Sequence, residues 1–118
     1  MADWKAIGPH DFLADGQMTE VTVDGFTLLI ARVEGRYYAV DGLCPHLHGH
    51  LANGQRAGYI VSCPRHGSAF DLRTGENIKW TPLFPPMVRK VSQVVRKPAD
   101  LDNYPIRVEQ GELWVQLP

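Results

Sequence analysis

The chain has 118 residues, of which 44% are hydrophobic and 21% are charged, and its formal net charge is −1. This length and composition are typical of one soluble globular domain with a core of its own. A nearly neutral chain gives no overall reason to expect nucleic-acid binding. The charge is uneven, since residues 1–43 carry seven acids and three bases whereas residues 44–118 carry six acids and nine bases.

Membrane and secretory signals are missing from the sequence pattern. The longest apolar run, residues 26–31, is far too short to span a bilayer. The first twenty residues contain four acids and no apolar stretch typical of a signal peptide. Two cysteines in such a chain favour a reducing compartment, in which thiols are more often metal ligands than disulfide partners. We therefore expect a cytoplasmic protein.

Most of the chain has the pattern of short β-strands joined by tight turns, so the sequence predicts an all-β fold. Asp24-Gly25 and Glu34-Gly35 are typical hairpin turns. Residues 10–13 are predicted to form a single helical turn, and residues 71–76 a tight turn. In chain order, the predicted strands are residues 4–7, 20–23, 26–33, 36–40, 59–62, 68–70, 104–108 and 112–117.

Residues 81–97 interrupt this pattern. Several prolines surround an apolar pattern that fits a short amphipathic helix or a β-branched strand. Its basic residues form either a solvated face of an irregular segment or a docking surface for an acidic partner protein. These basic residues are Arg89, Lys90, Arg96 and Lys97.

Two short sequences, Cys44-Pro45-His46 and Cys63-Pro64-Arg65-His66, each pair one cysteine with one histidine. They contain both cysteines of the chain, and sixteen residues separate them. Two donors on one tight loop cost little chain entropy, so two such loops suit one metal centre. Glycines follow at Gly49 and Gly67, where the backbone is expected to need a positive φ or a close approach to the metal.

Three interpretations of these sequences remain open from the residues alone. Structural zinc sites usually space cysteine with cysteine and histidine with histidine, whereas each sequence here mixes the two. A Cys44–Cys63 disulfide leaves the paired histidines without a role. A two-iron cluster with two thiolates on one iron and two imidazoles on the other accounts for all four side chains.

Cys-x-His followed, sixteen residues later, by Cys-x-x-His-Gly-Ser resembles the Rieske [2Fe–2S] proteins, and the resemblance extends through residues 70–75 to the closing hairpin. It implies stacked antiparallel sheets with a small cluster-binding sub-domain. That sub-domain would comprise approximately residues 43–80, the base would comprise residues 1–42 and 98–118, and residues 81–97 would form an irregular excursion.

The resemblance also implies the ligands of one Rieske-type [2Fe–2S] cluster. Cys44 and Cys63 would bind the inner iron, and His46 and His66 the outer iron near the surface. Such centres have reduction potentials of roughly −150 mV or higher. A docking face for transient partners would then surround the two histidines.

Four neighbouring positions imply the class of Rieske protein. High-potential respiratory and photosynthetic members carry two bridging cysteines, where this chain has Gly49 and Arg65. They also carry a serine and a tyrosine that donate hydrogen bonds to sulfur. This chain keeps Ser68 but has Phe70 in place of the tyrosine, which implies a lower potential.

The implied function is one-electron transfer from a flavin-containing NAD(P)H-dependent ferredoxin reductase to the Rieske centre of a terminal aromatic-ring-hydroxylating oxygenase. The protein would be a monomer and not itself an enzyme. No paired carboxylate, nucleophile or phosphate loop accompanies its remaining histidines for acid–base catalysis. The alternative is a small Rieske subunit of a multi-subunit reductase, such as a nitrite reductase.

Two further groups of residues near the site have two interpretations each. His48 and His50 either tune docking or are solvated loop residues. The apolar residues that follow the second cysteine–histidine sequence, between positions 80 and 86, either cover one side of the cluster loops or pack in the core. These are Trp80, Leu83, Phe84, Pro85 and Pro86.

Overall fold

The computed structural model describes residues 3–45, 48–65, 67–79 and 99–118. The predictions for residues 81–97, for Trp80 and for the basic stretch therefore lie outside the described residues. Within the described ranges, the chain forms β-strands, turns and one short 3-10 helix, Leu51–Asn53. None of these residues belongs to a helix long and apolar enough to cross a membrane. The all-β prediction is confirmed.

The strands form three antiparallel sheets. The outer sheet contains β1 (Asp3–Pro9), β11 (Glu112–Leu117) and β10 (Ile106–Glu109), in that order. The central sheet contains β2 (Met18–Val23), β3 (Phe26–Val33), β4 (Arg36–Asp41) and β9 (Asn103–Tyr104). The cysteine sheet contains β5 (Gln55–Ala57), β6 (Ile60–Ser62), β7 (Ala69–Asp71) and β8 (Asn77–Lys79).

The hairpins form where the sequence predicts them. Asp24 and Gly25 have φ angles of 49° and 81°, and Glu34 and Gly35 have φ angles of 53° and 79°. Two successive residues with positive φ are the signature of a type I′ turn, whose twist matches that of the flanking strands. The two turns therefore fix the register of β2, β3 and β4.

Strand β3 lies at the middle of the molecule, and its residues 28–31 are completely buried. Leu28 and Ile30 pack in the core between the central and outer sheets. Leu29 and Ala31 pack in a second core, which the central sheet shares with the cysteine sheet. A strand covered on both faces needs a continuous apolar run, and this explains the sequence Leu-Leu-Ile-Ala.

Two local predictions are wrong. Residues 10–13 form turns and bends, in which Phe12 N–H donates to the Pro9 carbonyl at 3.0 Å, and they do not form a helical turn. The predicted strand 104–108 is divided at Pro105, so that β9 pairs with β4 and β10 pairs with β11. Proline has no N–H for a sheet ladder, which is why the chain changes sheets there.

The segment that leads into β9 connects the cysteine sheet to the central sheet. Leu101 N–H donates to the Gly75 carbonyl at 2.8 Å, and Asp102 N–H donates to Asp41 Oδ2 at 2.8 Å. A Cβ on Gly75 would lie 2.1 Å from the Leu101 carbonyl oxygen, so this approach requires glycine. Tyr104 donates to Asp41 Oδ1 at 2.6 Å; burial, reinforced by this carboxylate, raises the pKa of Tyr104.

Candidate metal centre

Both cysteines lie in loops, one that follows the central sheet and one within the cysteine sheet. Loop one, residues 43–50, follows β4 and precedes the 3-10 helix; loop two, residues 63–68, connects β6 to β7. His46 and His66 lie outside the described residues. The structure therefore places the sulfur half of the predicted ligand set.

Loop one is closed by two backbone hydrogen bonds at its cysteine. Cys44 N–H donates to the Gly49 carbonyl at 2.8 Å, and His48 N–H donates to the Cys44 carbonyl at 2.8 Å. At the base of the loop, Leu51 N–H donates to the Gly42 carbonyl at 3.0 Å. Backbone hydrogen bonds of the loop therefore fix the cysteine on both sides.

Loop two is closed in the same way. Cys63 N–H donates to the Ser68 carbonyl at 2.7 Å, and Gly67 N–H donates to the Cys63 carbonyl at 3.1 Å. In both loops the cysteine N–H donates to the carbonyl five residues later, and the cysteine carbonyl accepts from the N–H four residues later. The two cysteines thus occupy equivalent backbone positions.

The residue four positions after each cysteine has left-handed backbone geometry. His48 has a φ of 57°, and Gly67 has a φ of 78°. The predicted positive φ is confirmed at Gly67. The positive φ of His48 was not predicted, because a histidine does not mark a left-handed position as a glycine does. Aligning the two loops on their cysteines would have placed His48 opposite Gly67.

The two loops contact each other at Gly49. A Cβ on this residue would lie 3.0 Å from Cys63 Sγ and 3.3 Å from Arg65 Cδ. Gly49 is therefore a close-approach glycine, and the groups that it approaches are the sulfur and the arginine stem of loop two; the predicted approach to the metal stays a prediction. Gly49 and Arg65, which the resemblance matches to bridging cysteines, are neighbours in space, and here the arginine stem occupies the space between the loops.

Both thiols are buried, with Cys44 1% exposed and Cys63 5% exposed, and the structure has no disulfide between them. They share one core with Phe70, which is completely buried, and Ser68 is 1% exposed. Thiolate sulfur is the donor that iron–sulfur clusters use, and a buried thiolate needs a cation beside it. The described half of the site therefore fits a cluster that is bound between the two loops.

The remaining histidines have different surroundings. His48 is exposed on loop one. His50 Nδ1 lies 2.5 Å from Glu20 Oε1, so this side chain connects loop one to strand β2. His10 Nδ1 lies 3.3 Å from the Gly111 carbonyl, on the outer sheet and remote from both cysteines.

Sequence reasoning missed a polar contact that fixes the far end of the cysteine sheet. Arg73 binds both Asp71 carboxylate oxygens, at 3.1 and 2.9 Å, and stacks 4.3 Å above the Tyr59 ring. Tyr59 in turn donates to Glu34 at 2.9 Å, in the turn between β3 and β4. The Arg73 hydrogen bond holds the pKa of Asp71 below its usual value despite burial.

Comparisons with known proteins agree with this geometry. The family model of the Rieske [2Fe-2S] domain matches residues 3–105. The ferredoxin component of the naphthalene 1,2-dioxygenase system of Pseudomonas putida is 29% identical over 113 residues, which cover 96% of this chain and 93% of that protein.

Two solved structures share the fold. The ferredoxin of Sphingomonas yanoikuyae B1 superposes with a TM-score of 0.78 at 23% identity, covering 98% of this chain and all of that one. A chain of the complex of reduced oxygenase and oxidized ferredoxin in carbazole 1,9a-dioxygenase gives a TM-score of 0.74 at 23% identity, covering 94% of this chain and 99% of that one. The chain therefore belongs to the Rieske [2Fe-2S] domain family and binds one cluster of that type.

Proposed function

We propose that this protein is a one-electron carrier of the low-potential Rieske ferredoxin class. It would take electrons from a flavin-containing NAD(P)H-dependent reductase and deliver them to the Rieske centre of a terminal aromatic-ring-hydroxylating oxygenase. One observation carries this proposal: two equivalent cysteine loops occur in a chain that matches a ferredoxin component over nearly the whole length of both proteins. That match extends over 93% of the ferredoxin component and over 96% of this chain.

We propose Cys44 and Cys63 as the ligands of one iron, and His46 and His66 as the ligands of the other. When bound, the cluster accepts and returns a single electron. The chain contributes the cage: the backbone hydrogen bonds fix both cysteines, and burial keeps water from the sulfurs. In this proposal residues 43–80 form the cluster-binding sub-domain on a base of residues 1–42 and 98–118.

Ser68 and Phe70 are proposed to set the potential from behind the sulfurs. Both side chains are buried, and Phe70 lies in the same core as both cysteines. A hydroxyl that donates to thiolate sulfur stabilises the reduced state, which carries more negative charge. Phenylalanine cannot donate, so its presence favours the low end of the Rieske potential range.

The proposed docking face surrounds His46 and His66, and the proposed partners are a ferredoxin reductase and a terminal oxygenase. Electron carriers bind their partners transiently through small interfaces, typically below about 1,200 Å² of total buried area. We accordingly propose a monomer that exchanges partners in the cytoplasm.

Reconstitution tests this function. The purified holoprotein replaces the native ferredoxin in an assay with the reductase and oxygenase of the Pseudomonas putida naphthalene system, and the native ferredoxin serves as the positive control. We expect NADH-dependent reduction, seen as bleaching of the visible absorption, followed by reoxidation when oxygenase is added. A holoprotein that the reductase does not reduce and the oxygenase does not reoxidise would contradict the proposal. Purification from its host in a stable complex with a larger catalytic subunit would support the reductase-subunit alternative.

A further inference from the structure

Arg65 is an exposed cation on loop two, two residues after Cys63. Most described arginines bind other groups of the chain, through carbonyl oxygens, carboxylates or aromatic rings. Those engaged in this way are Arg32, Arg56, Arg73 and Arg107. No acidic side chain in the described ranges forms an ion pair with Arg65. Within the described residues, no carboxylate therefore neutralises its charge.

The stem of Arg65 determines where this charge lies. A Cβ on Gly49 would be 3.3 Å from Arg65 Cδ and 3.4 Å from Arg65 Cγ, so the stem lies against the backbone of loop one. The same point is 3.0 Å from Cys63 Sγ. The arginine stem thus packs beside one sulfur ligand of the proposed centre, and the residue as a whole is exposed.

Arg65 is also the sole permanently charged residue in the described parts of the two loops, residues 43–45, 48–50, 63–65 and 67–68. The other side chains there are apolar, small, hydroxyl, thiol or imidazole groups. A guanidinium group presents a planar set of donors that matches a carboxylate in a bidentate pair. A partner that approaches the cysteine loops therefore meets one positive charge, fixed beside the sulfur.

We propose that Arg65 is the cationic contact of the electron-transfer face and pairs with a carboxylate of the partner protein. This inference rests on the proposed function and specifies the chemistry of its docking site. A charge at the rim of a transient interface acts mainly on the association rate, and its effect weakens as salt screens it. Arg65 is accordingly a specificity residue for association and not a ligand of the cluster.

The test uses small redox probes of opposite charge, so that it does not depend on the identity of the partner. Reduced holoprotein is mixed in a stopped-flow instrument with ferricyanide, an anion, or with hexaammineruthenium(III), a cation. In each reaction the protein loses one electron and one metal complex gains it. The ratio of the two rate constants is the readout, because a change in the protein's own potential alters both rates in the same direction.

Three variants separate the effect of the Arg65 charge from the effects of side-chain packing and of position in the molecule. Arg65→Met keeps an unbranched stem and removes the charge, whereas Arg65→Lys keeps both a stem and the charge. Arg36→Met is the matched control, because Arg36 is also exposed and has no ion pair within the described residues. It begins β4, a strand of roughly 17 Å whose far end leads into loop one. Visible absorption and iron content are measured for each variant, so that only loaded protein is compared.

At low ionic strength, we expect Arg65→Met to lower the ratio of the anion rate to the cation rate roughly three- to tenfold, an effect that added salt should abolish. Arg65→Lys and Arg36→Met should stay close to the wild-type ratio. Equal ratios for Arg65→Met and Arg36→Met would overturn the assignment of Arg65. A loaded wild-type protein that exchanges electrons with neither probe would instead overturn the proposed function, so the two failures are distinguishable.

Discussion

The two cysteine loops have the same backbone hydrogen bonds but place glycine at different points. In loop two, glycine stands at the left-handed position, as Gly67. In loop one that position is His48, and glycine stands one residue later, as Gly49, against the sulfur of loop two. Ser68 occupies the position in loop two that Gly49 occupies in loop one, since each lies five residues after its cysteine.

This difference shows that the two glycines solve separate problems. Gly67 satisfies a backbone conformation that side chains disfavour, whereas Gly49 leaves room for Cys63 Sγ and the Arg65 stem. Loop one tolerates strain at His48 and excludes bulk at Gly49. Loop two has the reverse arrangement, with a relaxed turn and a buried hydroxyl residue at Ser68.

Removal of either cysteine sulfur should have the largest effect on cluster binding, and the two removals should have equal effects. We expect Cys44→Ser and Cys63→Ser each to abolish cluster binding, because a serine hydroxyl is a harder and less acidic donor than a thiol. Iron per chain and visible absorption after anaerobic purification measure this loss. His46→Ala should also lose the cluster, whereas the matched variant His48→Ala on the same loop should keep it. Full iron content in either serine variant would contradict the equivalence of the loops.

Gly49→Ala should have the second largest effect, because it disturbs the contact between the two loops. The new Cβ would lie 3.0 Å from Cys63 Sγ, so the sulfur or the backbone must move. Overpacking of this kind typically costs about 1–3 kcal/mol, and Gly49→Val should cost more than Gly49→Ala. The thermal midpoint of the holoprotein and the rate of cluster loss are the measurements. Gly58→Ala is the control for cluster loss, since its Cβ would meet nothing within 4 Å and its φ of 60° makes it costly through the backbone alone; cluster loss that is no faster in Gly49→Ala than in Gly58→Ala would refute the close-approach role.

Hairpins were predictable from this sequence because their turns are local. Asp24-Gly25 and Glu34-Gly35 form the expected turns, since the residues that permit positive φ lie within the turn itself. Strands β5 and β8 were not predicted, because three polar or mixed residues carry no measurable alternation. They exist because pairing with β6 and β7 supplies their hydrogen bonds.

The site was predictable where its metal-binding residues are close together in the sequence. Cys44 and Cys63 could be proposed from spacing, and their burial in paired loops agrees with that proposal. The contact of Gly49 with Cys63 and Arg65 joins residues from different loops, so no local pattern reveals it. The Arg73–Tyr59–Glu34 contact was missed for the same reason, because it joins the cysteine sheet to a turn of the central sheet.

Exchanging the residue type at the left-handed position should give smaller effects of opposite sign. Gly67→Ala introduces a Cβ at a φ of 78° and should lower the free energy of unfolding by about 1 kcal/mol. His48→Gly removes such a Cβ, so it should leave stability unchanged or raise it by up to about 1 kcal/mol, the gain being offset by the flexibility of glycine in the unfolded chain. Urea unfolding measures both; an equal loss of stability in both variants would show that His48 is not strained.

The smallest effect concerns the residues seven positions after each cysteine, Leu51 and Phe70, which are both completely buried in the core that contains the sulfurs. Phe70→Tyr adds a hydroxyl behind loop two alone. If it donates to a thiolate sulfur, it stabilises the reduced state, and about 1 kcal/mol of such stabilisation raises a one-electron potential by roughly 40 mV. Protein-film voltammetry measures the shift.

Two controls separate a hydrogen bond from altered packing at this position. Phe70→Leu changes the volume without adding a donor and should not raise the potential. Phe26→Tyr adds a hydroxyl in the other core, beside the outer sheet, and should leave the potential unchanged. An unchanged or lower potential in Phe70→Tyr would mean that the phenylalanine does not account for the low-potential class.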